Sequence, residues 1–177
     1  MTARNISGFN EVSVDASGVT LTGGMSFNLS STASLSLVNG ASLNSTFVSN
    51  GGGAGALTIT LDGGSTLTLG GNGNPLNNAV VDLLDFDSLL QFSAETIDSF
   101  LFFASPSGEQ GEHFGKITFQ GDDLIFGSDP FAFEAGDNAL ATEFNGGSGV
   151  QIQAIPEPAI TLLGGLGLLA LVRRRRV

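Results

Sequence analysis

The chain has no cysteine, tryptophan or tyrosine, and only one histidine, His113. Without cysteine it has no disulfide, no thiol nucleophile and no thiolate metal site, so its fold must be held by packing and backbone pairing. Without Trp or Tyr, aromatic packing falls entirely to 14 phenylalanines, and a sugar-cleaving cleft would lack the rings best suited to it. Positive charge is scarce as well. Six Lys and Arg stand against 17 Asp and Glu, and four of the six are Arg173 to Arg176. Setting that cluster aside leaves Arg4 and Lys116 against 17 acids, a net charge of −15 over the rest of the 177 residues. Such a surface repels nucleic acid and anionic lipid, so no nucleic-acid partner is expected.

The scarce cations sit in an informative place. Ile155-Pro156-Glu157-Pro158 is followed by an apolar run from Ala159 to Val172, then by the four arginines and Val177. Pro156 and Pro158 disfavour helix at and before themselves, so a helix over 159–172 starts cleanly after them. Apolar residues followed by arginines orient a transmembrane helix with the arginines in the cytoplasm and the preceding domain outside. Fourteen residues at about 1.5 Å each cover roughly 21 Å, less than the roughly 30 Å hydrocarbon core, so snorkelling arginines or local thinning must close the gap. A short buried core helix with a basic end is the competing reading.

Pro156-Glu157-Pro158, the short Leu/Gly-rich helix and the arginine cluster together resemble the PEP-CTERM sorting signal of Gram-negative bacteria, also catalogued as an ice-binding-protein C-terminal domain. The resemblance covers about the last 24 residues. It implies transient anchoring in the inner membrane until an exosortase, a membrane cysteine protease and transpeptidase, removes the anchor. By that resemblance Pro156, Glu157 and Pro158 form the recognition element and Arg173, Arg174, Arg175 and Arg176 the membrane stop. None is catalytic, and no cofactor or metal is implied. The expected destination is the cell surface or extracellular matrix, with exopolysaccharide or other envelope components as partners. Met1-Thr2-Ala3-Arg4 opens no apolar signal-peptide region, so the expectation is that a secretory signal is missing from the start.

Residues 1–154 are expected to form one exported β-rich domain, with a candidate seam near 72–78, and 155–177 the signal. Short alternating runs appear at Val12/Val14, Val19/Leu21, Met25/Phe27/Leu29, Leu35/Leu37, Leu57/Ile59/Leu61 and Leu67/Leu69, with Ser or Thr interleaved. Gly23-Gly24, Asn39-Gly40, Asn50-Gly51-Gly52-Gly53 and Asp62-Gly63-Gly64 separate them with residues that accept positive φ. The stretch Leu57 to Gly71 resembles the strand repeats of autotransporter-type passenger β-helices. From Val19/Leu21 to Leu57/Ile59 is 38 residues, which reads as two coils of about nineteen in an irregular β-solenoid or β-helix-like domain. A β-sandwich is the alternative.

Beyond Asn74 the glycines thin out. Leu83, Phe86 and Leu90 would suit one face of a short helix, whereas Ser99 to Ala104 reads as a buried strand. Further strands are expected at Lys116–Gln120, Asp123–Phe126, Phe131–Glu134, Ala139–Phe144 and Val150–Ala154.

Chemistry-bearing patterns are few. His113, beside Glu112, has no second His or Cys to complete a transition-metal site. Asp82, Asp85 and Asp87 cluster, and Gly121-Asp122-Asp123-Leu124 resembles half of a calcium-binding nonapeptide repeat. One copy supplies only half the ligands, so solvated turn acids are the better reading. No Gly-x-Ser-x-Gly elbow is present. Thr20-Leu21-Thr22, Thr58-Ile59-Thr60 and Thr66-Leu67-Thr68 resemble the Thr-x-Thr strands of β-solenoid ice-binding proteins. In a nineteen-residue coil the first two share a face, Ser34 and Ser36 lie between, and the third falls on another face. Two functions follow from different classes: a non-catalytic surface or matrix protein processed by an exosortase, or a ligand-binding module (carbohydrate, calcium or ice) or secreted hydrolase with the same signal.

Overall fold

The computed structural model describes residues 2–3, 6–27, 32–49, 57–70, 76–77, 79–93, 116–124, 137–144 and 149–156. Their regular structure is all strand. After β1 (Thr2–Ala3), the chain runs through β2 (Ile6–Phe9), β3 (Glu11–Val14) and β4 (Val19–Leu21), then β5 (Met25–Phe27), β6 (Ala33–Leu37) and β7 (Ser42–Ser45). Next come β8 (Val48–Ser49), β9 (Leu57–Leu61) and β10 (Thr66–Leu69), then β11 (Leu76–Asn77), β12 (Ala79–Leu83) and β13 (Leu89–Phe92). Each group of three visits the same three sheets in the same order.

The first sheet holds β1-β4-β7-β10-β13, the second β11-β8-β5-β2 and the third β12-β9-β6-β3, and every one of these neighbours is parallel. The chain therefore winds, each turn laying one strand on each sheet. Pairings β8 with β11, β9 with β12 and β10 with β13 carry the stack across residues 72–78. β14 (Lys116–Phe119) extends the third sheet with one more parallel pairing, to β12, and the winding then closes with antiparallel pairs: β15 (Asp122–Asp123) on β14, and β17 (Gly149–Ala154) and β16 (Ala139–Phe144) extending the first sheet beyond β13.

Alternation explains why these residues make strands. In LTITL of β9, Leu57, Ile59 and Leu61 are fully buried while Thr58 faces out. Stacking then builds ladders of like residues: Leu35 on Ile59 on Val81, and Leu37 on Leu61 on Leu83. On the first sheet Leu43, Leu67, Leu90 and Ile152 form another ladder, and all belong to one apolar cluster. At about 1.5–3 kcal/mol for each fully buried Leu or Ile, this interior is what offsets chain entropy in a molecule without crosslinks.

Two sequence expectations are corrected. A turn of about nineteen residues describes only the start of the winding, where Ile6 pairs with Met25; later turns are longer, and side-chain contacts between them join residues 24 apart, as in Ser36 with Thr60 and Asn39 with Asp15, or 23 apart, as in Thr68 with Gln91. Val19 pairs with Leu43 on the first sheet, whereas Leu57 pairs with Ala33 on the third, so the 38-residue spacing joins two different faces. Period-two alternation marks inside and outside but not which of three sheets a strand joins. An antiparallel sandwich does not describe these pairings either. The helical spacing of Leu83, Phe86 and Leu90 resolves into the end of β12, a tight turn and the start of β13. Leu83 and Leu90 are buried on different sheets, and Phe86 is exposed.

Positive φ at Asn39 and Gly40, and at Gly63 and Gly64, turns the chain from the third sheet to the first in successive coils. A Cβ on Gly63 would meet the Asn39 amide nitrogen at 3.0 Å, so glycine there is required by stacking as well as by φ. The strands expected at 99–104 and 131–134, and the helix over 159–172, lie outside the described residues.

Candidate functional site

The acidic cluster is a turn. Asp85 Oδ1 accepts from the amides of Asp87 (2.9 Å) and Ser88 (2.7 Å), while Oδ2 accepts from the Ser88 hydroxyl (3.1 Å) and from the Gly64 amide one coil away (3.3 Å). Ser88 Oγ in turn accepts from the Ser65 amide at 3.2 Å. Partial burial pushes the Asp85 carboxyl up, but the Gly64 amide, the Ser88 hydroxyl and the Asp87 and Ser88 amides outweigh it, leaving the group below its ordinary value. Asp82 is engaged too: its Oδ1 accepts from the Thr118 hydroxyl (2.8 Å) and the Gly121 amide (2.9 Å).

The half-repeat at Gly121 to Leu124 is likewise structural. Gln120 and Gly121, both at positive φ, form the two-residue turn between β14 and β15, with Phe119 opposite Asp122. Among the described residues no three acidic or histidine side chains come together in a way that could hold a metal ion. His113 and Glu112 lie outside the described residues. Sequence reasoning saw the acids as a cluster and missed their role as turn staples. The signal was available in Asp85-Phe86-Asp87-Ser88, the pattern of an Asp side chain capping amides two and three residues on.

The other candidate lies where the described chain ends. β17 is clamped on both sides, by β13 through Leu90–Ile152 and by β16 through Ala139–Ala154. Val150, Ile152 and Ala154 are fully buried. The Ile155 amide then donates to Asn138 O at 2.9 Å, and the next residue, Pro156, is exposed. Buried core and exposed proline are separated by one residue.

Residues 154–176 match the model of the PEP-CTERM protein-sorting motif. No curated protein and no solved structure matches the chain. The PEP-CTERM motif is a membrane-anchored sorting signal handled by an exosortase, which marks the chain as sorted towards the envelope or surface. The match opens on Ala154, a residue of the buried ladder, so motif and folded domain meet without a spacer. Of the residues expected to carry sorting, the structure describes Pro156 alone. Glu157, Pro158 and Arg173 to Arg176 lie outside the described residues. Among the described residues no helix is long and apolar enough to cross a membrane.

The three Thr-x-Thr segments separate differently from expectation. Thr20 and Thr68 share the first sheet, with Asn44 between them in register. Thr58 and Thr60 sit on the third sheet, over Ser34 and Ser36. Among the described residues these rows form no continuous threonine lattice.

Proposed function

We propose that the chain is a non-catalytic surface or extracellular-matrix protein whose β-solenoid domain, residues 1–154, is held briefly at the inner membrane by a helix over 159–172 and freed by an exosortase acting at Pro156-Glu157-Pro158. The PEP-CTERM match abutting the last core strand carries the reading. Arg173 to Arg176 act as the cytoplasmic stop, and the domain lies outside the cytoplasm of a Gram-negative cell. The three steps from Pro156 to Ala159 reach at most about 11 Å, so the capped end of the stack is held close to the membrane until cleavage.

Several features support a structural role. The acids at the turns are used in backbone capping rather than aimed at a common point. A wound stack held by parallel pairing and aliphatic ladders is stiff without disulfides, as an exposed envelope component needs. Mass spectrometry of the mature protein from its native host, compared with a strain carrying Pro156→Ala, Glu157→Ala and Pro158→Ala together, tests the reading. The expected native chain ends near Pro156, while the triple variant retains the tail and stays with the membrane. Persistence to Val177 in both strains would overturn it.

A further inference from the structure

The outward face of the first sheet is chemically unlike the rest of this acidic chain. Its central row runs in register through Thr20, Asn44, Thr68, Gln91, Gln151 and Thr142, all uncharged. The adjoining row through Ser42, Thr66 and Leu89 is uncharged too. On the third sheet, by contrast, the matching outward rows include Glu11 and Asp82. Asp15, Asp62, Asp85 and Asp87 all fall at turns. Among the described residues these stacked rows of hydroxyls and amides carry no carboxylate, and the one acid in the strands of this sheet, exposed Glu143, sits on the edge strand β16 in register with inward-facing Val150.

That face is also grooved and preordered. An open groove of about 190 Å³ crosses the downstream ends of β4, β7, β10 and β13, passing Leu21, Asn44, Ser45, Thr68, Gly70 and Ser93. A Cβ at Gly70 would press on Ser93 Oγ at 3.3 Å, so glycine keeps the groove open. Thr68 Oγ1 donates to Gln91 Oε1 at 2.8 Å, and Gln91 Nε2 donates to Gln151 Oε1 at 2.7 Å, so Thr68, which lines the groove, is held by the two glutamines of the row beside it before any ligand arrives. Crossing four strands takes three steps of about 4.8 Å, roughly 14 Å along the stack. The groove is too open and shallow to enclose a small molecule, for which about 300 Å³ or more is usual. It suits an extended polymer lying along the winding axis, whose repeating hydroxyls meet one row of side chains per coil.

We propose that this groove binds a neutral polysaccharide. Charge selects the occupant: the surrounding turn carboxylates repel an acidic polymer, and the uncharged rows leave hydroxyl-to-hydroxyl and hydroxyl-to-amide bonding as the available contact. Exposed Asn44 supplies donors and an acceptor, Thr46 a hydroxyl, and Ser93, whose hydroxyl donates to Leu69 O at 3.3 Å, an acceptor oxygen.

The inference is independent of how the tail is processed. Affinity electrophoresis of the full-length protein in detergent micelles, in gels containing hydroxyethyl cellulose, dextran or galactomannan, with polygalacturonate as the acidic comparison, reads it directly. Expected is retardation by at least one neutral glycan and none by polygalacturonate. Asn44→Ala with Thr68→Val should weaken that retardation about tenfold, by loss of roughly two hydrogen bonds. Thr58→Ala on the third sheet should leave it unchanged, with melting temperatures showing that both variants fold. Absence of retardation by every neutral glycan would overturn the proposal, as would equal loss in Thr58→Ala. A double variant that changed only self-association would also overturn it, making the face a contact between copies.

Discussion

At the scale of single residues, Asp85 does more than any other described acid. Its two oxygens hold the amides of Asp87 and Ser88, the Ser88 hydroxyl and the Gly64 amide of the preceding coil, so it shapes its own turn and ties two coils together. Because these donors favour the carboxylate, its folded value lies below its unfolded one. Stability from this source is therefore present above the unfolded value and is lost as pH falls through the folded value. Asp85→Asn should cost about 1–2 kcal/mol at pH 7, the weight of the weakened charge-assisted bonds, and the deficit should shrink as the pH is lowered through the folded value and the native carboxyl takes up its proton. Urea denaturation of both proteins over a descending pH series would measure it; a deficit that stayed constant throughout would mean that the charge is irrelevant to the turn. The turn was partly legible in the sequence, since Asp-x-x-Ser is a capping pattern. Its partner Gly64 was not, because a bond between coils depends on a coil length that the sequence pattern leaves open.

At the scale of elements, strands were legible and their neighbours were not. Val12/Val14, Leu35/Leu37, Leu57/Ile59/Leu61 and Leu67/Leu69 each announce a strand, and each is one. β7 and β8 carry weaker signals, Ser-Leu-Asn-Ser and Val-Ser, and take their place chiefly by stacking on stronger strands. Position within the stack should govern the cost of core truncation. Ile59 lies between Leu35 and Val81 and is fully buried, whereas Val14 pairs with Leu37 on one side, at the edge of its sheet. Ile59→Ala is expected to destabilise by about 3–4 kcal/mol and Val14→Ala by about 1–2 kcal/mol, because the edge site can relax around the loss. Equilibrium denaturation of the two variants would show the ordering, and a larger loss at Val14 would place the cohesive centre of the stack at its first coil instead.

At the scale of the whole molecule, the boundary between fold and signal is set by hydrogen bonds. The Ile155 amide donates to Asn138 O, and β17 before it is paired on both edges. Because β17 is already paired on both edges before Pro156, removal of the tail should leave the domain intact, as release from a membrane requires. A chain ending at Pro156 is expected to melt within about 3 °C of the full-length protein, a shift that corresponds to about 1 kcal/mol at this size. A chain ending at residue 148 loses β17, and with it the buried side chains of Val150, Ile152 and Ala154 and the pairing of β13 with β16 through them. That second chain should lose several kcal/mol and fail to hold its closing strands. Thermal melts followed by far-ultraviolet circular dichroism distinguish the two cuts. If both chains were equally destabilised, the segment beyond Pro156 would be part of the folded domain, and cleavage there would unfold the product it is proposed to release.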